Sequence, residues 1–132
     1  MKINLSQFKR FEKQIILKKI GLAGQKKISS ANVLVIGLGG LGCPLLTYLA
    51  ASGVGKIGIV DFDKVEISNL NRQTLFNLND IGKFKVKQAK KVINKINKKI
   101  KIIPFKKKIT SKNIKKILSS FDIICDGTDN YN

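Results

Sequence analysis

The sequence lacks several residue types on which common enzyme and metal sites depend. Its 132 residues contain no histidine and no tryptophan, and only two cysteines, two prolines and 8 acidic residues. Without histidine, these residues cannot build a histidine-based catalytic triad. Cys43 and Cys125 stand far apart in apolar segments, so they suggest neither a disulfide framework nor a metal pair. Both are expected to be free core thiols.

Long apolar runs are also missing. No segment approaches the ~18 consecutive apolar residues that a membrane-spanning helix needs. The charged, amphipathic N-terminus has neither the uninterrupted apolar stretch nor the small-residue cleavage site of a secretory signal. We therefore expect a cytoplasmic protein with no membrane association.

Basic residues are present in excess. Lysine and arginine number 26 and give a formal net charge of +18. Nearly all of them are lysines, whereas nucleic-acid surfaces usually also use arginine and stacking aromatic rings. A solvated, lysine-rich exterior is therefore favoured over a nucleic-acid surface. With 43% hydrophobic residues, the composition is that of a globular chain able to bury a core.

The apolar periodicity alternates between helical and strand-like spacing along the chain. Helices are predicted over residues 5–20, 41–51 and 83–96, and strands over 32–36, 56–61, 100–104 and 121–125. A further helix is expected through Ile117 and Leu118, with Thr110 and Ser111 as candidate caps. Alternating strands and helices predict an α/β, Rossmann-like fold, a mostly parallel sheet with helices on both faces.

Two regions are expected within this fold. Residues 1–30 are predicted to form an N-terminal helical segment, and residues 31–132 a nucleotide-binding α/β domain. The sequence stops at Asn132, just after the polar loop that follows the last predicted strand. We therefore expect the domain to be truncated at its C-terminal end.

A glycine motif follows the first predicted strand and precedes the next predicted helix. In GLGGLG, the residues Gly37, Gly39 and Gly42 have the G-x-G-x-x-G spacing, which allows a tight turn and close backbone approach to phosphate at a helix N-terminus. Asp61 ends the second predicted strand, where a carboxylate can accept the hydroxyls of a ribose, and Asp63 could share that task. These features serve an NAD enzyme and an ATP enzyme equally.

A polar cluster beyond the second strand separates these two possibilities. Asn69, Arg72, Gln73 and Lys85 are expected to surround the same crevice with hydrogen-bond donors and positive charge, which suits a reacting triphosphate better than an unreactive pyrophosphate. Asp126 and Asp129 follow the last predicted strand, where a carboxylate is tolerated near phosphates mainly through Mg²⁺. The P-loop pattern G-x-x-x-x-G-K-[ST] is absent, which argues against transfer of the γ-phosphate.

Five segments together resemble the adenylation domain of the MoeB/ThiF/HesA family, bacterial relatives of ubiquitin-activating enzymes. They are GLGGLG at 37–42, DFD at 61–63, SNLNRQ at 68–73, GKFKVKQA at 82–89 and DGTDN at 126–130. The resemblance covers nearly the whole chain from about Phe8.

The resemblance implies an ATP- and Mg²⁺-dependent adenylyltransferase. Its substrate would be the C-terminal glycine carboxylate of a small ubiquitin-fold sulfur carrier of the MoaD or ThiS type, which becomes an acyl-adenylate. By resemblance, Gly40 and the other motif glycines line the nucleotide, Asp61 holds the ribose, the phosphates contact Asn69, Arg72, Gln73 and Lys85, and Asp129 binds Mg²⁺. Arg72, Lys85 and Asp129 are the implied catalytic set.

Further implications concern a second copy and the remainder of the family's domain. The family forms homodimers in which an arginine of an R-Y-x-R-Q motif reaches the partner's phosphates; here residues 10–14 read RFEKQ, so that residue is Lys13. Zn²⁺ is expected in the family, but its paired C-x-x-C ligands would lie beyond Asn132.

Three other functions remain open. A tRNA threonylcarbamoyladenosine dehydratase of the TcdA type adenylates a carboxylate on RNA, and the basic surface mildly favours it. An NAD-dependent oxidoreductase fits the glycine motif but not Arg72, Lys85 and Asp129. A non-enzymatic interaction module would retain the fold without binding nucleotide.

Overall fold

A computed structural model describes residues 3–129 of the chain. Within them the structure contains five α-helices and four strands. The elements are α1 (Leu5–Ile15), α2 (Gly21–Ser30), β1 (Asn32–Ile36), α3 (Gly42–Ser52), β2 (Lys56–Val60), α4 (Lys85–Ile96), β3 (Lys101–Phe105), α5 (Ile114–Leu118) and β4 (Ile123–Asp126). No described helix combines the length and apolarity needed to span a membrane.

The four strands form one parallel sheet in the order β3-β2-β1-β4. The chain builds outward from β1 through β2 to β3, and then crosses to the other side of β1 to add β4. The strand order therefore reverses beside β1, and ligands of such sheets bind outside the carboxyl ends of the strands at this reversal. The predicted α/β fold with a parallel sheet is confirmed.

Alternate residues of the strands pack into two separate cores. Val33 and Val35 of β1 face the larger core, which α3 and α4 cover with residues such as Leu46 and Ile93. Leu34, between them, faces the smaller core under α5. Because successive side chains of a strand point to opposite faces, an apolar run with this alternation requires helices on both sides of the sheet.

The predicted single helix over residues 5–20 is wrong in its extent. The helix α1 ends at Ile15, and Gly21, with φ +58°, begins α2. The second helix was missed because its sequence, GLAGQKKISS, contains glycines and serines in place of a clear apolar stripe. Gln25, fully buried, accepts a hydrogen bond from Gln14 and donates one to the Ser52 carbonyl, and so fastens both helices to α3.

The predicted caps of the short helix α5 are also wrong. This helix begins at Ile114 after Asn113, and no side chain caps it. The Asn113 side chain instead accepts a hydrogen bond from the Thr110 backbone and donates one to the Lys108 carbonyl. These bonds stabilise the loop before α5, so the polar residues serve a turn rather than a helix terminus.

Candidate functional site

A cavity of about 720 Å³ lies at the carboxyl ends of the strands, beside the reversal of strand order. Its walls come from the glycine loop after β1, the segment from Asp61 to Gln73 after β2, the start of α4, the loop after β3 and the loop after β4. This is the location that the sheet topology predicts for a ligand.

The glycine loop is shaped by backbone contacts that only glycine allows. Gly37 has φ +86°, and a Cβ there would lie 3.2 Å from the backbone of Gly127, which follows β4. At Gly42, the first residue of α3, a Cβ would overlap the carbonyl group of Gly37. At Gly39, by contrast, a Cβ would meet nothing within 4 Å, and this residue lines the cavity. The loop therefore turns tightly and leaves open space beside its own backbone.

Asp61 connects the glycine loop to the end of β2. One carboxylate oxygen accepts a hydrogen bond from the Leu38 backbone N–H at 2.8 Å, and the other accepts one from the Asp63 N–H at 2.8 Å. Charge-assisted bonds of this kind are stronger than neutral ones. The carboxylate lines the cavity and retains lone pairs that could accept further hydrogen bonds.

Arg72 lies across the glycine loop. A Cβ at Gly40 would be 3.4 Å from the Cγ and Cδ atoms of Arg72, so the aliphatic part of the arginine passes directly over this glycine. Nη1 donates to the carbonyl of Ser68 at 2.9 Å and to Oδ1 of Asn71 at 3.0 Å. Because these bonds both use Nη1, the other guanidinium nitrogens can donate to an anion in the cavity.

Lys85 supplies a buried positive charge at the start of α4. Its side chain is 6% exposed, and its Nζ lies 3.6 Å from a carboxylate oxygen of Asp63. The Lys85 N–H also donates to the Asp63 carbonyl at 3.0 Å. Buried charges require a partner, and Asp63 provides it here.

Two buried amides complete this side of the cavity. Asn69 accepts a hydrogen bond from the Glu66 N–H at 3.0 Å. Gln73 is 3% exposed, and its Oε1 has no hydrogen-bond partner among the described residues. A buried unpaired polar atom is uncommon and costly, and this one belongs to a residue that lines the cavity. A ligand or ligand-bound water could satisfy it.

Acidic residues are concentrated in this cavity. The chain has 8 acidic residues, and four of them line it: Asp61, Asp63, Asp126 and Asp129. Asp126 accepts hydrogen bonds from the N–H and the hydroxyl of Thr128. Within residues 3–129, no three His, Cys, Asp or Glu side chains are grouped as a metal site.

The structure brings together most of the residues that the sequence predicted for the site. Those lining the cavity are Gly37, Gly39, Gly40, Asp61, Asp63, Asn69, Arg72, Gln73, Lys85 and Asp129. Gly42 lies buried behind the loop, and Lys13 is exposed on α1, away from the cavity. The sequence analysis missed Phe62, Lys107, Lys108, Ile109 and Ile114, which also line it. Phe62 lies within the DFD segment but was not assigned to the site. The other four carry no recognisable motif, so only their proximity to the strand ends could have indicated them.

The two cysteines differ in burial. Cys43 is fully buried, and burial raises the pKa of its thiol from 9.0 to about 11. Cys125, on β4, is half-buried. Both are free, as predicted.

Comparison with known proteins assigns a family to this arrangement. The model of the ThiF family matches residues 11–132. The chain is 48% identical over 128 residues to a probable molybdopterin-synthase adenylyltransferase of Porphyra purpurea, covering 97% of this chain and 34% of the relative. It is 38% identical over 131 residues to a sulfur carrier protein adenylyltransferase of Thermus thermophilus, covering 99% of this chain and 48% of the relative. The chain therefore spans less than half the length of these relatives.

Solved structures share the same fold. The E. coli tRNA N6-threonylcarbamoyladenosine dehydratase TcdA, in complex with ATP, has a TM-score of 0.91 at 25% identity, and the match covers 98% of this chain and 53% of TcdA. E. coli MccB with ATP has a TM-score of 0.76 at 33% identity, with 81% of this chain and 32% of MccB covered.

Proposed function

Because the chain belongs to the ThiF family, we propose that it forms the nucleotide-binding part of an ATP-dependent adenylyltransferase. The observation that carries this proposal is the convergence of Arg72, Lys85 and Asp129 on one cavity beside the glycine loop. A guanidinium, an ammonium and a carboxylate around open space form a donor set suited to a triphosphate with its metal.

The proposed substrate is the C-terminal glycine carboxylate of a small ubiquitin-fold sulfur carrier protein of the MoaD or ThiS type. Support comes from relatives that are named for molybdopterin synthase and for a sulfur carrier protein. An oxygen of the carrier carboxylate attacks the α-phosphorus of ATP, and the bond from that phosphorus to the bridging oxygen breaks. The products are an acyl-adenylate and pyrophosphate.

The reaction needs alignment and charge stabilisation rather than a proton-transfer residue. The attacking carboxylate is already ionised at neutral pH, so the absence of histidine from the chain is compatible with this chemistry. Arg72 and Lys85 stabilise the negative charge that moves onto the leaving pyrophosphate. Their fixed positions hold the phosphates while the carboxylate approaches.

The nucleotide is proposed to lie along the glycine loop. The open space beside Gly39 admits phosphate oxygens close to the backbone, and the N-terminus of α3 favours their negative charge. Asp61 accepts a ribose hydroxyl with the lone pairs that its two backbone bonds leave free. Asn69 and Gln73 complete the wall, and the unpaired Oε1 of Gln73 accepts a hydrogen bond from the ligand or its water.

Mg²⁺ fits the acidic residues of this cavity. Mg²⁺ in nucleotide sites commonly uses one or two carboxylates together with phosphate oxygens and waters, so Asp129 and Asp126, which both line the cavity, would be a sufficient donor set. When bound, the ion neutralises phosphate charge. The concentration of carboxylates here, in a chain of net charge +18, supports this assignment.

Lys13 can contact the nucleotide only if it comes from a second copy of the chain. It is exposed on α1, outside the cavity of its own chain. We therefore propose a homodimer in which Lys13 of one subunit contacts the phosphates of the other. A lysine keeps the charge of the family's arginine but loses its planar pair of donors.

The second candidate is an adenylating enzyme that acts on tRNA. The match to the ATP complex of TcdA, with a TM-score of 0.91, favours it, as does the net charge of +18. Such an enzyme should bind tRNA saturably with a steep dependence on salt. Absence of tRNA binding at low salt would discard this candidate.

The test is ATP–pyrophosphate exchange by the full-length protein with a MoaD-like or ThiS-like carrier. Arg72→Ala and Asp129→Ala should each lower exchange by about 100-fold or more, the scale of a lost transition-state contact. Asp122→Ala is the control, since this carboxylate lies at the other end of β4, near Asn32. Exchange that survives both site substitutions would contradict the assignment.

A further inference from the structure

Asp63 has two contacts with one residue of the cavity. Its carbonyl oxygen accepts a hydrogen bond from the Lys85 N–H at 3.0 Å, and its carboxylate lies 3.6 Å from the Lys85 Nζ. The first contact fixes where α4 begins. The second fixes the charged end of the lysine. Both ends of Lys85 are therefore held by Asp63.

Asp63 is itself held in place from both sides. Its N–H donates to the Asp61 carboxylate, whose other oxygen accepts from the Leu38 N–H in the glycine loop. On the other side, Val65 donates to the Lys83 carbonyl at 2.9 Å. A continuous set of hydrogen bonds thus connects the glycine loop to Lys85 through Asp61 and Asp63.

The ion pair leaves the lysine able to bind a second anion. At 3.6 Å the contact between Nζ and carboxylate is longer than a charge-assisted hydrogen bond. The side chain of Lys85 is 6% exposed, whereas that of Asp63 is 52% exposed to solvent. Solvent screens the repulsion between Asp63 and an incoming phosphate, while the burial of Lys85 leaves it few other positions. Orientation of Lys85 is therefore the larger of the two effects of Asp63.

We propose that Asp63 is a positioning residue for Lys85, which it holds toward the phosphates, and that it does not bind the ribose. This inference rests on the proposed function, because Lys85 has a phosphate to contact only if a nucleotide occupies the cavity. It replaces the sequence-based expectation that Asp63 shares the ribose with Asp61. Of these two carboxylates, only Asp61 then contacts the ribose.

The experiment is calorimetric binding of MgATP to the full-length protein and three variants: Asp63→Asn, Lys85→Met and the double variant. Asparagine keeps the shape and backbone carbonyl of residue 63 and removes the charge. Asp63→Asn should weaken MgATP binding about fivefold, as expected for a partly exposed ion pair. In the Lys85→Met background the same change should have almost no effect, because the residue that it positions is gone.

Ribose binding is tested separately with 2′-deoxy-ATP and 3′-deoxy-ATP. If Asp63 positions Lys85, Asp63→Asn should weaken all three nucleotides by the same factor. If Asp63 contacts a ribose hydroxyl, one deoxy nucleotide should lose much less affinity than ATP, and this result would overturn the proposal. Asp63→Glu should restore part of the affinity, and far-UV circular dichroism checks that each variant is folded. Asp122→Asn controls for the loss of one negative charge elsewhere.

The outcomes separate the two levels of inference. A wild-type protein that binds no MgATP would refute the proposed function and this inference with it. Normal wild-type binding, with Asp63→Asn and Lys85→Met additive in the double variant, would refute only the role of Asp63. Tighter MgATP binding by Asp63→Asn would also refute it, because the repulsion would then exceed the gain from positioning.

Discussion

Substitution by alanine should have different effects on stability at two glycines of the loop after β1. At Gly42 a Cβ would lie 2.9 Å from the carbonyl carbon of Gly37 and closer still to its oxygen. Real Cβ contacts essentially never fall under 3.0 Å, and the obstructing group is backbone that also defines the turn. Gly42→Ala therefore forces the loop and the start of α3 apart. At Gly39 the same methyl would meet nothing within 4 Å.

The expected cost for Gly42→Ala is about 3 kcal/mol, the upper part of the range for overpacking, since a main-chain group cannot rotate away. This is a large fraction of the ~5–15 kcal/mol that stabilises a domain. Urea denaturation of the full-length protein, followed by circular dichroism, should show a midpoint lower by about 1–2 M. Gly39→Ala should leave the midpoint unchanged and instead weaken MgATP binding, because its methyl occupies cavity space. Equal midpoints for the two variants would refute the steric reasoning.

Two further predictions concern Arg72 and Cys43. Arg72→Lys keeps the positive charge, but a lysine cannot both donate to the Ser68 carbonyl and donate to two phosphate oxygens. The affinity for MgATP should therefore fall about tenfold in calorimetry. Arg10→Lys is the control and should bind MgATP normally, because Arg10 donates to the Ile96 carbonyl at the opposite end of the sheet. Burial raises the pKa of the Cys43 thiol from 9.0 to about 11, so the unfolded chain ionises first and the free energy of unfolding should fall as pH rises from 9 to 11. Cys43→Ala should show a smaller fall in pH-dependent denaturation, and an unchanged fall would contradict the assignment.

The strands and the position of the cavity at their carboxyl ends could be predicted from the sequence, because both depend on local patterns. Short β-branched runs that end at glycine or aspartate mark β1 and β2, and parallel strands bring the residues after them to one edge. Arg72 and Lys85 could therefore be expected near Gly39, and all three line the cavity. Chain order and strand direction were sufficient for this prediction.

The missed features depend on contacts between distant residues. The helix α2 has no apolar stripe of its own and is held by a buried glutamine that reaches Ser52. Lys107 and Lys108 line the cavity only because β3 directs the next loop toward it. The pairing of Asp63 with Lys85 likewise requires the start of α4 to lie beside the chain after β2. No spacing rule in the sequence specifies such neighbours.

The late position of β4 in the chain determines when the cavity can be completed during protein synthesis. Asn32 and Asp122, which hydrogen-bond where β1 and β4 begin, are 90 residues apart, and the loop after β4 forms one wall of the cavity. A nascent chain that has not yet released this strand from the ribosome lacks one wall of the cavity. On the proposed function, ATP would therefore stabilise the native state only after translation has passed this strand.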